Sequence, residues 1–138
     1  MIKSVMLIDD DDVTLMICKM RLLKSGFCEE VYTFESAEAA LDFFDEQKSM
    51  PEGHQKLPDL IFLDLNMPGM DGWEFIEEFG KIYHTLLKPI SILILSSSVD
   101  PDDAERASFE PLILGFITKP LTEQSLDKFK NTGILDSF

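Results

Sequence analysis

The run Asp59-Leu60-Ile61-Phe62-Leu63-Asp64-Leu65-Asn66-Met67-Pro68-Gly69-Met70-Asp71-Gly72-Trp73-Glu74-Phe75 decides the reading of the fold. Residues 60–63 are continuously apolar and too short for a helix, the pattern of a strand buried on both faces. An acid follows at Asp64, then a turn rich in Pro and Gly, then Phe75, Ile76, Phe79 and Tyr83 at helical spacing. The unit is strand, acid, turn, helix.

The same unit repeats outward from this run. Apolar segments at residues 5–8, 31–34, 90–95 and 112–117 read as four further strands. After the first, Val13, Met16, Met20, Leu23 and Phe27 recur every three or four residues and predict a helix with that stripe inward, stopped at Gly26. Ser36 caps a second helix carrying Ala37, Ala39, Ala40, Leu41 and Phe44. Asp102 opens a short acidic fourth helix with little amphipathic character. Thr122 opens a fifth, with Leu126 and Phe129 on its inner side. Residues 47–58 read as a polar loop. Five alternations of strand and helix make an α/β domain, (βα)5, with a parallel sheet, right-handed crossovers and helices on both faces.

Residues 1–138 read as one domain, with no room for a DNA-binding or enzymatic output module. Hydrophobic residues at 45% and charged residues at 28% are globular values and exclude a disordered chain. No apolar run is long enough to cross a bilayer, and the N-terminus lacks the form of a signal peptide. Cys18 and Cys28 make no paired framework, which places the chain in a reducing cytoplasm. A net charge of −14 disfavours nucleic acid and anionic lipid as partners and suits a cation or a basic protein.

Ligands of open α/β sheets bind beyond the carboxyl ends of the strands, so those ends carry the chemistry. The first strand ends in Asp9, Asp10, Asp11 and Asp12, the third in Asp64, the fourth in Ser96, Ser97 and Ser98, the fifth in Thr118, Lys119 and Pro120. Converging carboxylates repel unless a cation intervenes, and magnesium prefers such oxygen ligands together with phosphate. A lysine can neutralise the remainder or grip a phosphoryl oxygen, a hydroxyl can donate to it, and an aspartate can be the nucleophile. Together these are the parts of a minimal phosphoryl-acceptor site. Taken singly, each has a plainer reading: an acid cluster at a helix start, turn serines, a surface lysine.

The fragments LIDDDD (7–12), DLIFLDLNMPGMDGWEF (59–75), ILILSSS (92–98) and GFITKPL (115–121) occur together and in this order. With them the sequence resembles the receiver domain of two-component response regulators, from about Lys3 to Lys130. The resemblance implies a flavodoxin-like sheet of order 2-1-3-4-5. It implies Asp64 as phospho-acceptor, and magnesium (or manganese) held by Asp9, Asp10, Asp64 and the backbone carbonyl of Asn66. Ser96 becomes the switch hydroxyl, Lys119 the phosphoryl contact, with a cis bond between Lys119 and Pro120. Phe116 takes the place of the switch aromatic, without the hydroxyl of a tyrosine. Asn66 and Ser98 take the positions that tune dephosphorylation; both are small and polar, which predicts a slow to intermediate rate. The partner implied is a sensor histidine kinase or phosphotransfer protein. The output is a target protein or a homodimer through the face of the fourth helix, fifth strand and fifth helix. His54 and His84 read as surface residues. Asp11 and Asp12 read as helix-start acids. Such a chain is not an enzyme beyond its own phosphorylation and dephosphorylation.

Three rivals share some of these features. A haloacid-dehalogenase-type phosphatase would use Asp9 as nucleophile and Asp11 as acid, with Ser96 and Lys119. It leaves Asp64 idle and needs a later acidic pair, where the remaining aspartates are Asp127 and Asp136. A pseudo-receiver would keep the fold as a binding module without phosphorylation, against an intact set of site residues. A flavodoxin-type protein would meet four Asp where it needs a phosphate loop.

Overall fold

In the computed structural model, which describes residues 2–51, 53–97 and 100–131, the apolar segments form strands and the periodic segments helices. The order is β1 (Ser4–Ile8), α1 (Asp12–Lys24), β2 (Glu30–Phe34), α2 (Ala37–Lys48), β3 (Leu60–Leu63), α3 (Gly72–Ile82), a 3-10 turn (Tyr83–Thr85), β4 (Ser91–Ser96), α4 (Pro101–Ser108), β5 (Ile113–Thr118) and α5 (Glu123–Asn131). The five strands are parallel, in the order β2-β1-β3-β4-β5.

Alternation along the strands divides the core between two faces. Leu7, Phe62, Leu93 and Leu95 pack with Leu15, Cys18 and Leu22 of α1 and Leu126 and Phe129 of α5. Met6, Ile8, Ile61 and Leu63 pack with Phe44 of α2 and Phe75 and Phe79 of α3. Every residue of β1 and β3 is buried, as their unbroken apolar runs require. Among the described residues no helix is long and apolar enough to cross a membrane.

The helix starts carry much of the acid. Asp11, Asp71 and Asp100 cap α1, α3 and α4, each accepting a bond from a first-turn N–H, and Ser36 caps α2. Asp71 and Glu74 close a reciprocal capping box. At the other end of α1, Gly26 follows the helix at φ +73°, the left-handed conformation that glycine adopts without strain.

The main correction concerns α1. The stripe Val13, Met16, Met20 and Leu23 faces outward, with Met16 64% and Met20 58% exposed; Leu15, Cys18 and Leu22 point to the core. Of the expected inner stripe only Phe27, beyond the helix, is buried. Smaller corrections concern boundaries. β4 starts at Ser91, and α4 starts at Pro101 under an Asp100 cap. Gln47 belongs to α2 and not to the loop: it is buried, and its Oε1 accepts from the Lys56 N–H at 2.7 Å, tying the loop down.

Candidate functional site

Strand register builds the site. Ile8 pairs with Leu63, so β1 and β3 end level and Asp9 and Asp64 emerge side by side. Both are fixed by their own amides: Asp9 N–H donates to Phe34 O (3.1 Å) and Asp64 N–H to Ile8 O (3.0 Å). Leu63 pairs with Ile94, so β4 runs two residues further and ends at Ser96, opposite Thr118. The next amide, that of Lys119, donates to Ser96 O at 2.7 Å, and the Lys119–Pro120 bond is cis, as the resemblance implies.

The two buried carboxylates are held alike. Asp9 Oδ1 accepts from the Asp11 N–H at 2.9 Å, and Asp64 Oδ1 from the Asn66 N–H at 3.2 Å. Their other oxygens turn towards one cation: Lys119 Nζ lies 2.6 Å from Asp9 Oδ2 and 3.6 Å from Asp64 Oδ2. The closer contact is an ion pair off hydrogen-bond alignment, so the buried Asp9 Oδ2 has no aligned donor. Burial pushes the Asp64 carboxyl above its ordinary range; the Asn66 N–H pulls it partly back, and the Asp9 charge adds to the rise. Burial alone would lower Lys119, but the Asp9 and Asp64 carboxylates outweigh it and raise the ammonium pKa.

Ligand oxygens of Asp9, Asp10 and Asp64 lie within 4.8 Å of one another. Three carboxylates against one lysine leave negative charge at the strand ends. This donor set fits a hard divalent cation.

Ser96 is buried at the end of β4, and Asp10 and the Asn66 side chain are exposed. Phe116 stands apart: half-buried in β5, it lines a cavity of about 420 Å³ with Thr118, Ser125 and Lys128. Ser98 and Asp136 lie outside the described residues. His54 and His84 are exposed. Asp11 spends its carboxylate on capping, accepting from Val13 N–H and Thr14 Oγ1 at 3.0 Å each. Those bonds, the one from Thr14 first, hold its pKa below the ordinary value.

Two features were not read from the sequence. Gly72 does more than turn the chain: a Cβ there would lie 2.7 Å from Leu65 Cα and 2.8 Å from Asp64 O, so only glycine lets α3 start against the backbone of Asp64 and Leu65. The outward apolar face of α1 is the other. Thr14, Ile17 and Cys18 form one wall of a cavity of about 250 Å³ whose other wall is Lys119, Pro120 and Leu121. The signal was present, since Leu15, Cys18 and Leu22 are also helically spaced, but two apolar stripes compete on one helix.

Residues 5–129 match the family model described as the response regulator receiver domain. The solved structure of a two-component response regulator from Cytophaga hutchinsonii is similar, with a TM-score of 0.83 and 31% identity over 98% of both chains. Response regulator Rcp1 of Synechocystis sp. is 29% identical over 99% of this chain and 88% of its own. The two-component response regulator ORR1 of Oryza sativa subsp. japonica is 28% identical over 94% of this chain, which spans 54% of that protein's length.

Proposed function

The chain belongs to the response regulator receiver family, and from that premise we propose that Asp64 is its phospho-acceptor and Lys119 the cation that receives the transferred charge. The protein is a phospho-accepting receiver of two-component signalling. The observation that carries the residue assignment is the shared orientation of the free oxygens of Asp9 and Asp64 towards Lys119 Nζ.

In the proposed reaction an Asp64 oxygen attacks the phosphorus of a partner's phosphohistidine. The new O–P bond forms as the N–P bond breaks, and the imidazole leaves with its electron pair and takes a proton. Lys119 is already poised between the two carboxylates and transfers its contact to a phosphoryl oxygen. The Ser96 hydroxyl donates to another, drawing the end of β4 inward. Receiver domains bind magnesium in an acidic pocket; here Asp9, Asp10, Asp64 and the carbonyl of Asn66 would hold it, or manganese, and when bound it supplies charge neutralisation at the phosphoryl oxygens. The chain catalyses only the gain and loss of its own phosphoryl group, with Asn66 and Ser98 tuning the loss.

The partner is a histidine kinase or phosphotransfer protein. Supporting its approach over α1 is the exposed apolar row Val13, Met16, Ile17, Met20 and Leu23, which continues into the cavity beside Lys119. Output leaves through the face of α4, β5 and α5, where Phe116 lines its groove, to a target protein or a second copy. Neither nucleic acid nor membrane is a partner, in keeping with the charge of −14. Two unpaired cysteines support a cytoplasmic location.

The test is intact mass after incubation with acetyl phosphate and magnesium, beside Asp64→Asn and a chelator control. One added phosphoryl group, absent from both controls, is expected. Uptake by Asp64→Asn equal to that of the wild type would refute the assignment. No uptake, together with no binding of a beryllium fluoride mimic, would make the chain a pseudo-receiver.

A further inference from the structure

Trp73, the one tryptophan of the chain, is the second residue of α3, directly after Gly72. The Gly72 N–H donates to Leu65 O at 3.0 Å, so this end of α3 is fixed to the backbone that carries Asp64. From there Trp73 reaches α4. Its indole Nε1 donates to Asp103 Oδ1 at 2.9 Å, and the Arg106 guanidinium, one turn along α4, lies over the ring at 4.5 Å from its centroid. One side chain thus grips α4 through a charge-assisted hydrogen bond and a cation–π contact.

Among the described residues little else holds α4. Of its eight residues only Ala107 is buried, and Phe109 just beyond it is 80% exposed. Its other end is joined to Ser96 through residues 97–100. The end of β4 that the proposed function draws towards Asp64 thus precedes α4 closely in the chain, while Trp73 ties α4 to the helix that starts against Asp64. Both contacts are short-ranged, and a shift of about 1–2 Å between α3 and α4 breaks them.

We infer that Trp73 is a positioning residue that clamps α4 in its unphosphorylated arrangement and so sets how readily the phosphorylated one forms; this rests on the acceptor reading of Asp64. A contact made in one of two states biases the equilibrium by its own net strength. Its loss makes activation easier.

The experiment uses the full chain. Trp73→Phe and Asp103→Ala should raise the initial rate of phosphorylation by acetyl phosphate with magnesium about threefold to tenfold, the factor that one hydrogen bond of ordinary net strength represents. Asp103→Asn keeps an acceptor and should stay near the wild-type rate. The double variant Trp73→Phe/Asp103→Ala should gain nothing further, because both changes remove one bond. The single indole N–H gives a second readout in a nitrogen–proton correlation spectrum. With magnesium and beryllium fluoride, the wild-type peak should move to the position that it holds in Asp103→Ala without the mimic. A wild type that takes phosphate while both single variants keep its rate, or whose indole peak stays in place with the mimic, overturns the clamp and leaves Asp64 standing. A wild type that takes no phosphate and binds no mimic overturns both.

Discussion

Asp64 and Asp59 are both buried carboxylates, and their surroundings drive them in opposite directions. Burial raises the Asp64 pKa above its unfolded value. Its contribution to stability is therefore full below the unfolded carboxyl range, near pH 4, and declines as pH rises through the folded value. At neutral pH without a divalent cation, Asp64→Asn should raise Tm by about 2–5 °C; added magnesium should narrow that gap by stabilising the wild type, and acidification below pH 4 should close it. Thermal unfolding with and without chelator measures all three. At Asp59 burial also works upward, but Lys88 and the N–H groups of Lys3 and Ser4 prevail and hold the carboxyl below its ordinary value. Its contribution is present above the unfolded range and lost as pH falls through the folded value. Asp59→Ala should cost about 2–3 kcal/mol at pH 7 in denaturant unfolding, with a smaller difference from wild type below pH 4. The sequence marks Asp64 by its place after an apolar run; it does not mark Asp59, whose partners Lys3 and Lys88 are distant in the chain.

At the level of elements, strands were legible and one helix face was not. Residues 5–8, 60–63 and 92–95 of β1, β3 and β4 are buried, so these runs are apolar without interruption and the residues that follow them are Asp9, Asp64 and Ser96. α1 is apolar on two faces, and periodicity alone cannot say which meets the sheet. The face left outside has a functional reading, a docking surface for the phosphoryl donor. Ile17→Glu and Met20→Asp should slow transfer from the cognate phosphohistidine protein tenfold or more, while uptake from acetyl phosphate stays within about twofold, since a small donor needs no docking surface. Equal loss with both donors would assign the row to stability instead. The link from Trp73 to Asp103 was illegible for another reason: it joins side chains 30 residues apart on neighbouring helices, and no local pattern encodes it.

Across the whole molecule the charge is sorted by end. Caps and first turns of the helices carry Asp11, Asp12, Glu38, Asp71, Glu74, Asp100, Asp102, Asp103 and Glu123, while Arg21, Lys24, Lys48, Lys81, Arg106, Lys128 and Lys130 fill the last turns. In a parallel (βα)5 sheet this concentrates acid at the strand ends where Asp64 lies, while at the opposite edge acids and bases mix, with Lys48, Lys81 and Lys88 paired to Asp45, Glu78 and Asp59. Composition shows only the total of −14; the fold makes it a gradient. The acidic edge attracts a cation and a basic partner and repels a small anionic donor. At saturating magnesium, raising inert salt should therefore speed uptake from acetyl phosphate and slow association with the protein donor; the reverse order would contradict this sorting. The central claim is the identity of the acceptor, and borohydride reduction of the freshly phosphorylated wild type reads it directly, because an aspartyl phosphate becomes homoserine. Peptide sequencing by mass spectrometry should find homoserine at position 64 and aspartate at positions 9, 10 and 11; homoserine at any of those three, with residue 64 intact, would show that the phosphoryl group goes elsewhere.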